Sequence, residues 1–255
     1  MNQLFSLKHR TALVTGASDG LGARFAQTLG QAGARVVLAA RRKNALDEQV
    51  QQLRDQGIDA CAVAMDVSDS TSVDAAFQTL DDMGWSVDVL INNAGQARSV
   101  SWLETSEEDW QAMLQVNLLG ADRVARAVCK RLVNAGRPGR VVNVSSVLGI
   151  THQPFTAAYG SAKAALLQLT RKMAVELASH NIQANAIAPG LFHTAMVNAY
   201  VKSGSGKKYM AATLSKRAGT LDELDGTLLF LASDASAYVT GVVIPVDGGN
   251  HLRGL

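Results

Sequence analysis

Thr11-Ala-Leu-Val-Thr15-Gly16-Ala-Ser-Asp-Gly20-Leu-Gly22 decides the fold. Its first five residues are apolar or β-branched and read as a short strand. Three glycines follow, and residues 21–32 continue with the periodicity of a helix. A strand that passes through a glycine-rich turn into a helix is the first half of a dinucleotide-binding βαβ unit. Gly16 permits the tight turn, Gly20 lets backbone approach a pyrophosphate, and Gly22 lets the helix pack close to the strand. The helix N-terminus then presents N–H groups and a positive dipole end to phosphate. Ser18, Asp19 and Leu21 lie between the glycines and join Gly16, Gly20 and Gly22 as candidate cofactor contacts. The spacing is G-x-x-x-G-x-G rather than the commoner G-x-G-x-x-G, and a glycine cluster alone marks no more than a turn. The strand before it and the helix after it favour the nucleotide.

Working outward, short apolar runs alternate with longer helical patterns. Residues 34–38, 60–64, 87–91, 140–144, 182–187 and 242–246 read as further strands, and 44–56, 70–83, 107–134, 157–179 and 222–232 as further helices. The alternation predicts a Rossmann-type doubly wound α/β fold, with a seven-stranded, mostly parallel sheet and helices on both faces. The whole chain, 1–255, is expected to form one domain, and its 47% of hydrophobic residues suffices for a full core. The segment 195–217 breaks the rhythm, since Lys202-Ser-Gly-Ser-Gly-Lys-Lys208 is polar and glycine-rich. It reads as a solvated surface loop or as a mobile lid over a substrate pocket, and its place after Pro189-Gly190 favours the lid.

A formal net charge of +2 is too weak to imply a nucleic-acid or acidic-membrane partner. No run approaches the roughly 18 apolar residues of a membrane helix, and residues 1–10 lack the apolar stretch of a signal peptide. Cys61 and Cys129 sit in apolar segments and read as buried thiols rather than a disulfide. The expectation is a soluble, cytoplasmic protein with no metal site.

The end of the second strand should choose between cofactors. An acid there would hold the adenosine ribose hydroxyls and repel a 2′-phosphate. The chain instead has Ala39-Ala40-Arg41-Arg42, and Arg41 is the candidate for that phosphate. NADP(H) is therefore preferred, with NAD(H) possible. The alternative is a solvated arginine pair starting a helix, and Asp19 adds a negative charge of undetermined direction.

Tyr159 and Lys163 stand four residues apart within a helical pattern, so both side chains share one face. An ammonium beside a phenol favours phenolate, and a Tyr brought down from about 10 towards working pH can act as a general acid or base.

With these motifs the chain resembles the short-chain dehydrogenase/reductase family, in its single-domain branch, over essentially its whole length. The motifs are Thr15-Gly16-Ala-Ser-Asp-Gly20-Leu-Gly22, Asp66-Val67, Asn92-Asn93-Ala94-Gly95, Asn117, Val144-Ser145-Ser146, Tyr159-Gly-Ser-Ala-Lys163 and Pro189-Gly190. Tyr238-Val-Thr-Gly241 and Val246-Asp247-Gly248-Gly249 extend the likeness to the C-terminal part. The resemblance implies a catalytic set of Asn117, Ser146, Tyr159 and Lys163. Tyr159 would exchange the proton, Ser146 would hydrogen-bond the reacting oxygen, and Lys163 would lower the Tyr159 pKa and bind the nicotinamide ribose. Asn117 would hold a water that links Lys163 to solvent; alternatively it bends its helix by bonding to nearby backbone. The resemblance further implies cofactor contacts at Asp66, Val67, Asn93, Ala94, Gly95, Pro189, Gly190 and Thr194. Asn92 to Gly95 also suit a turn.

The substrate is expected to be a small carbonyl or alcohol compound held by Ser146 and Tyr159, with His152 and Phe192 as further candidates; Gln153, Phe155, His193 and Met196 lie in the same stretches. Similar proteins include 3-oxoacyl-carrier-protein reductases, which dock an acidic carrier on basic residues; the two corresponding positions here are Arg137 and His180. The alternative to an enzyme is a catalytically silent nucleotide-binding scaffold, disfavoured because all four catalytic positions are kept. The family commonly forms tetramers, so a homotetramer or homodimer is expected, pairing 107–134 and 157–179 across one two-fold axis and 238–255 across another.

Overall fold

The computed structural model describes residues 3–211 and 213–252. In chain order its elements are β1 (Thr11–Thr15), α1 (Gly20–Gln31), β2 (Arg35–Ala40), α2 (Lys43–Asp55), β3 (Ala60–Ala64), α3 (Ser70–Asp82) and β4 (Val89–Asn92). Then come α4 (Glu107–Leu114), a π-helical turn (Gln115–Gly120), α5 (Ala121–Asn134), β5 (Gly139–Val144), α6 (Ala157–Leu177) and β6 (Ile182–Pro189). The chain continues with α7 (Ala195–Lys202), α8 (Gly204–Ala211), α9 (Asp225–Ala232) and β7 (Val243–Val246).

The strands form one seven-stranded sheet in the order β3-β2-β1-β4-β5-β6-β7. Every neighbouring pair is parallel. Alternate residues of the strands feed opposite faces, as period-two geometry requires. Val14, Ile91 and Val142 join Phe25, Leu29, Leu46 and Leu228 in one cluster under α1, α2 and α9. Leu13, Leu90 and Val141 join Phe77, Leu80, Val128 and Leu132 in another under α3 and α5. Because the sheet is covered on both sides, its strands are apolar throughout rather than alternating. Strand order reverses between β1 and β4, and the crevice beyond their carboxyl ends is where such sheets take ligands.

Two expectations change in detail. The helix expected over 107–134 is interrupted at Gln115–Gly120 by a π turn, which contains Asn117. The segment 195–217 is not an irregular loop through its first part, because α7 and α8 occupy Ala195–Ala211. Thr194 starts α7 by accepting a hydrogen bond from the Val197 N–H (3.3 Å), and Ser203 Oγ accepts from Gly206 N–H (3.1 Å) at the start of α8. These hydroxyl caps outweigh the helix-breaking composition of Ser-Gly-Ser-Gly. The Met196 side chain and Ala212 lie outside the described residues.

Candidate active site

The phosphate loop is built as its glycines require. Gly16 has φ +66°, and a Cβ there would stand 2.9 Å from Ala94 Cα. A Cβ on Gly22 would stand 2.1 Å from the Gly16 carbonyl oxygen, so no larger residue lets α1 approach β1 this closely. Residues 92–95 brace the loop from the neighbouring strand. Thr15 Oγ1 accepts from the Asn93 and Ala94 N–H groups (3.0 Å each). Asn93 Nδ2 donates to the Thr15 and Gly16 carbonyls (3.0 and 3.2 Å). A tight cradle at the switch point, ending in a helix N-terminus, fits a dinucleotide pyrophosphate.

Asp66 lies two residues beyond β3, the edge strand next to β2. Its carboxylate accepts from Ser68 N–H (2.9 Å) and Ser68 Oγ (2.6 Å), which holds its pKa below the usual range, with Arg41 adding a weaker pull. Val67 packs on Gly120 at the end of the π turn. Pro189 closes β6, Gly190 N–H donates to the Val246 carbonyl (2.9 Å), and Gly190 lies so close to Asp247 that a Cβ would meet it at 2.7 Å. Thr194 reaches back to the phosphate loop, its Cγ2 being 3.7 Å from the Cβ position of Gly20.

Arg42 pairs with this loop, its guanidinium donating to Ser18 Oγ (3.0 Å) and to the Asp19 carboxylate. Arg41 is exposed like Arg42, and its charge acts on Asp66. The sequence shows two adjacent arginines; which one reaches the loop depends on backbone angles at the start of α2 (φ −87°, ψ 89° at Arg42) that composition does not reveal.

Ser146, Tyr159, Lys163 and Asn117 come together at the carboxyl ends of β4 and β5. Ser145 and Ser146 point oppositely, as extended neighbours must. Ser145 Oγ donates to the Lys163 carbonyl (2.9 Å) and is buried in structure; Ser146 Oγ accepts from Leu148 N–H (3.1 Å) and lies on the Tyr159 side, where it pulls the phenol pKa down. Lys163 lies one helical turn beyond Tyr159, its Nζ 5.9 Å from the phenol ring centroid, and it donates to the Val144 carbonyl (2.9 Å). Gly95 leaves room for this group, since a Cβ there would stand 2.8 Å from Asn117 Oδ1 and 3.4 Å from Lys163 Nζ. Asn117 Nδ2 donates to the Gln96 carbonyl (2.9 Å), and its Oδ1 accepts from Gln96 N–H (3.2 Å). Its side chain therefore splints the strand-exit loop.

The electrostatics differ from expectation in one respect. Burial pushes the Tyr159 pKa up, only partly countered by the Ser146 hydrogen bond. Burial also brings Lys163 down, to about 8. In the protein alone, desolvation thus outweighs the attraction between ammonium and phenolate.

The substrate candidates divide. His152 is exposed near the crevice, on the stretch 147–155. Phe192 is a core residue, 5% exposed and packed on Gly219, where a Cβ would collide with its ring at 2.6 Å. Tyr200, missed in the sequence because it sits in the supposed loop, receives a hydrogen bond from Gln153 Nε2 (3.4 Å) and stacks edge-on with Tyr209 (centroids 6.2 Å). Tyr209 in turn accepts from Asn250 Nδ2 (2.6 Å). Helices α7 and α8 are thereby tied to the loop after β5 through Tyr200 and to the C-terminal turn through Tyr209.

Among the described residues no His/Cys/Asp/Glu group is arranged to hold a metal, and no helix is long and apolar enough to cross a membrane. Cys61 and Cys129 are buried free thiols, which burial pushes up to about 12 and about 11.

A family model described as enoyl-(acyl carrier protein) reductase matches residues 16–251. The chain is 36% identical over 250 residues to 5-keto-D-gluconate 5-reductase of Escherichia coli K12, covering 98% of each. It is 37% identical over 246 residues to a 3-oxoacyl-[acyl-carrier-protein] reductase of Synechocystis, covering 96% of this chain and 98% of that one. Its structure superposes with a TM-score of 0.94 on a gluconate 5-dehydrogenase from Burkholderia cenocepacia in complex with NADP and tartrate, at 34% identity and 98% coverage of both chains. A dinucleotide cradle at the switch point, a serine, tyrosine and lysine converging beside it, and full-length matches of this kind place the chain in the short-chain dehydrogenase/reductase family, as an NAD(P)-dependent oxidoreductase of secondary alcohols and ketones.

Proposed function

We propose that this enzyme interconverts a keto and a secondary hydroxyl group on a small polyhydroxylated acid, of the kind represented by 5-keto-D-gluconate, with NADP(H) as the preferred cofactor. The observation that carries the reading is the Ser146–Tyr159 hydroxyl pair, held against Lys163 at the carboxyl edge of the sheet. When bound, the nicotinamide supplies or accepts the hydride. Tyr159 donates a proton to the substrate oxygen in reduction and recovers it in oxidation, and Ser146 hydrogen-bonds the same oxygen as charge develops. Lys163 stands beside the phenol, where an ammonium favours phenolate. Asn117 holds Gln96 in place, and with it the loop that borders the pocket.

The cofactor preference follows from Arg42 at the ribose end of the phosphate loop. The sugar-acid reading is preferred over an acyl-carrier substrate because Arg137, one of the two positions expected to dock an acidic carrier, is committed to the buried Asp88 carboxylate and to Ser86. Two buried free thiols suit a reducing compartment, in keeping with a cytoplasmic enzyme. The working assembly is proposed to be a homotetramer or homodimer: Val175 on α6 and Tyr238 near the C-terminus are 77% and 104% exposed, and they fall on the two faces expected to pair.

The test is an NADPH-oxidation assay over a panel of keto acids, keto sugars and 3-oxoacyl thioesters. Turnover of 5-keto-D-gluconate or a close polyhydroxy keto acid is expected, and Tyr159→Phe should lose about 10²–10⁴-fold in rate while still binding NADPH. Full activity in Tyr159→Phe, or turnover of the thioesters alone, would reject the reading.

A further inference from the structure

The loop between β5 and α6 keeps an amide inside and an aromatic ring outside. Of residues 152–155, His152, Pro154 and Phe155 are exposed and only Gln153 is half-buried. Phe155 has a left-handed backbone (φ +67°), rare for an aromatic residue, and its carbonyl accepts from Val100 N–H (2.9 Å). Strain of this kind gathers where a structure clamps a ligand. The Gln153 carbonyl accepts from Thr156 Oγ1 (2.8 Å), and Thr156 is the N-cap residue of α6. The loop is therefore fixed at Ser146 on one side and at the helix that carries Tyr159 on the other.

Gln153 Nε2 donates to the hydroxyl of Tyr200 on α7, the helix that follows β6. The two side chains thus meet at the carboxyl edge of β5 and β6, the edge that carries Ser146. At 3.4 Å their bond is longer than an ordinary one, so it is readily exchanged. Edge-on contact with Tyr209 orients the Tyr200 ring. Among the described residues, Gln153 Oε1 and the Tyr200 hydroxyl proton have no protein partner, and Gln153 Oε1 is not sealed from solvent. An uncharged acceptor and an uncharged donor therefore stand side by side.

We propose that Gln153 and Tyr200 are a specificity pair that reads a hydroxyl of the substrate chain away from the reacting carbonyl. That hydroxyl donates to Gln153 Oε1 and accepts from the Tyr200 hydroxyl, replacing the bond between the two side chains. A chain without the hydroxyl leaves both groups unpaired once water is expelled, and is rejected for that reason. This inference rests on the reading of the substrate as a polyhydroxylated keto acid and names the residues that enforce it.

The experiment is steady-state kinetics with NADPH on two substrates of equal charge. One is 5-keto-D-gluconate; the other is 5-oxohexanoate, which keeps the carboxylate and the ketone but has no hydroxyl. Tyr200→Phe removes one oxygen and keeps the ring; Gln153→Met keeps the length and removes the amide. Each should raise KM for 5-keto-D-gluconate about five- to tenfold with kcat within about twofold, and leave KM for 5-oxohexanoate within about twofold. If the pair merely fastens α7, both variants lose both substrates alike, and that outcome would overturn the proposal. An unchanged preference in both variants would do the same while sparing the polyhydroxylated-acid reading. A wild-type enzyme that does not favour 5-keto-D-gluconate over 5-oxohexanoate would remove that reading, and this inference with it.

Discussion

Lys163 carries a measurable consequence of its surroundings. Its side chain is buried, and burial brings its pKa from 10.5 down to about 8. Below about pH 8 the protonated ammonium opposes folding in full. Between about 8 and 10.5 the unfolded chain binds a proton that the folded chain does not, so stability rises with pH; above that window the cost is gone. Relative to Lys163→Met, the wild-type protein is expected to gain about 2–3 kcal/mol between pH 7 and pH 10, at roughly 1.4 kcal/mol per pH unit. Urea unfolding of both proteins at several pH values measures this, and a gap that does not move with pH would show that Lys163 is not desolvated. At this scale the sequence was legible wherever spacing fixes geometry. The Tyr159–Lys163 interval and the serine interval each placed a side chain on the correct side. It was illegible where two chemically equal neighbours compete, as at Arg41 and Arg42.

Elements were read well when an apolar run and a turn signal agreed. All seven strands and the helices that cover them lie where hydrophobic periodicity puts them, shifted by no more than three residues at their ends. The π turn at Gln115–Gly120 escaped, because its residues keep helical periodicity on both sides and only the ladder of hydrogen bonds registers the extra residue. Helices α7 and α8 escaped for the opposite reason: glycine and serine mask a helix whose caps are those same hydroxyls. Helix α8 is joined to the C-terminal turn through the Tyr209 hydroxyl. Tyr209→Phe deletes the hydroxyl that receives the Asn250 amide and is expected to cost about 1 kcal/mol. Limited proteolysis should then cut faster within 195–217 while the rest of the chain resists. Equal cleavage rates in both proteins would mean that the C-terminal turn does not restrain α8.

For the molecule as a whole, the topology was readable because parallel strands joined by helices admit few arrangements, and a right-handed crossover selects among them. Assembly was not readable, since an apolar helix face looks the same whether it meets a core or another copy. The exposed Val175 makes the question answerable. Light scattering of the wild-type protein should report two or four chains, and Val175→Glu should reduce that number if α6 pairs across an axis. A monomer in the wild type would remove this face from consideration. The proximity of Thr194 to Gly20 reaches furthest. The residue that starts α7 stands beside the floor of the nucleotide cradle, its Cγ2 only 3.7 Å from where a Gly20 Cβ would be. A dinucleotide in the cradle is therefore expected to settle the start of α7 before a second molecule arrives. Product-inhibition patterns with dinucleotide first and keto compound second are the expected result, and random-order patterns would count against it.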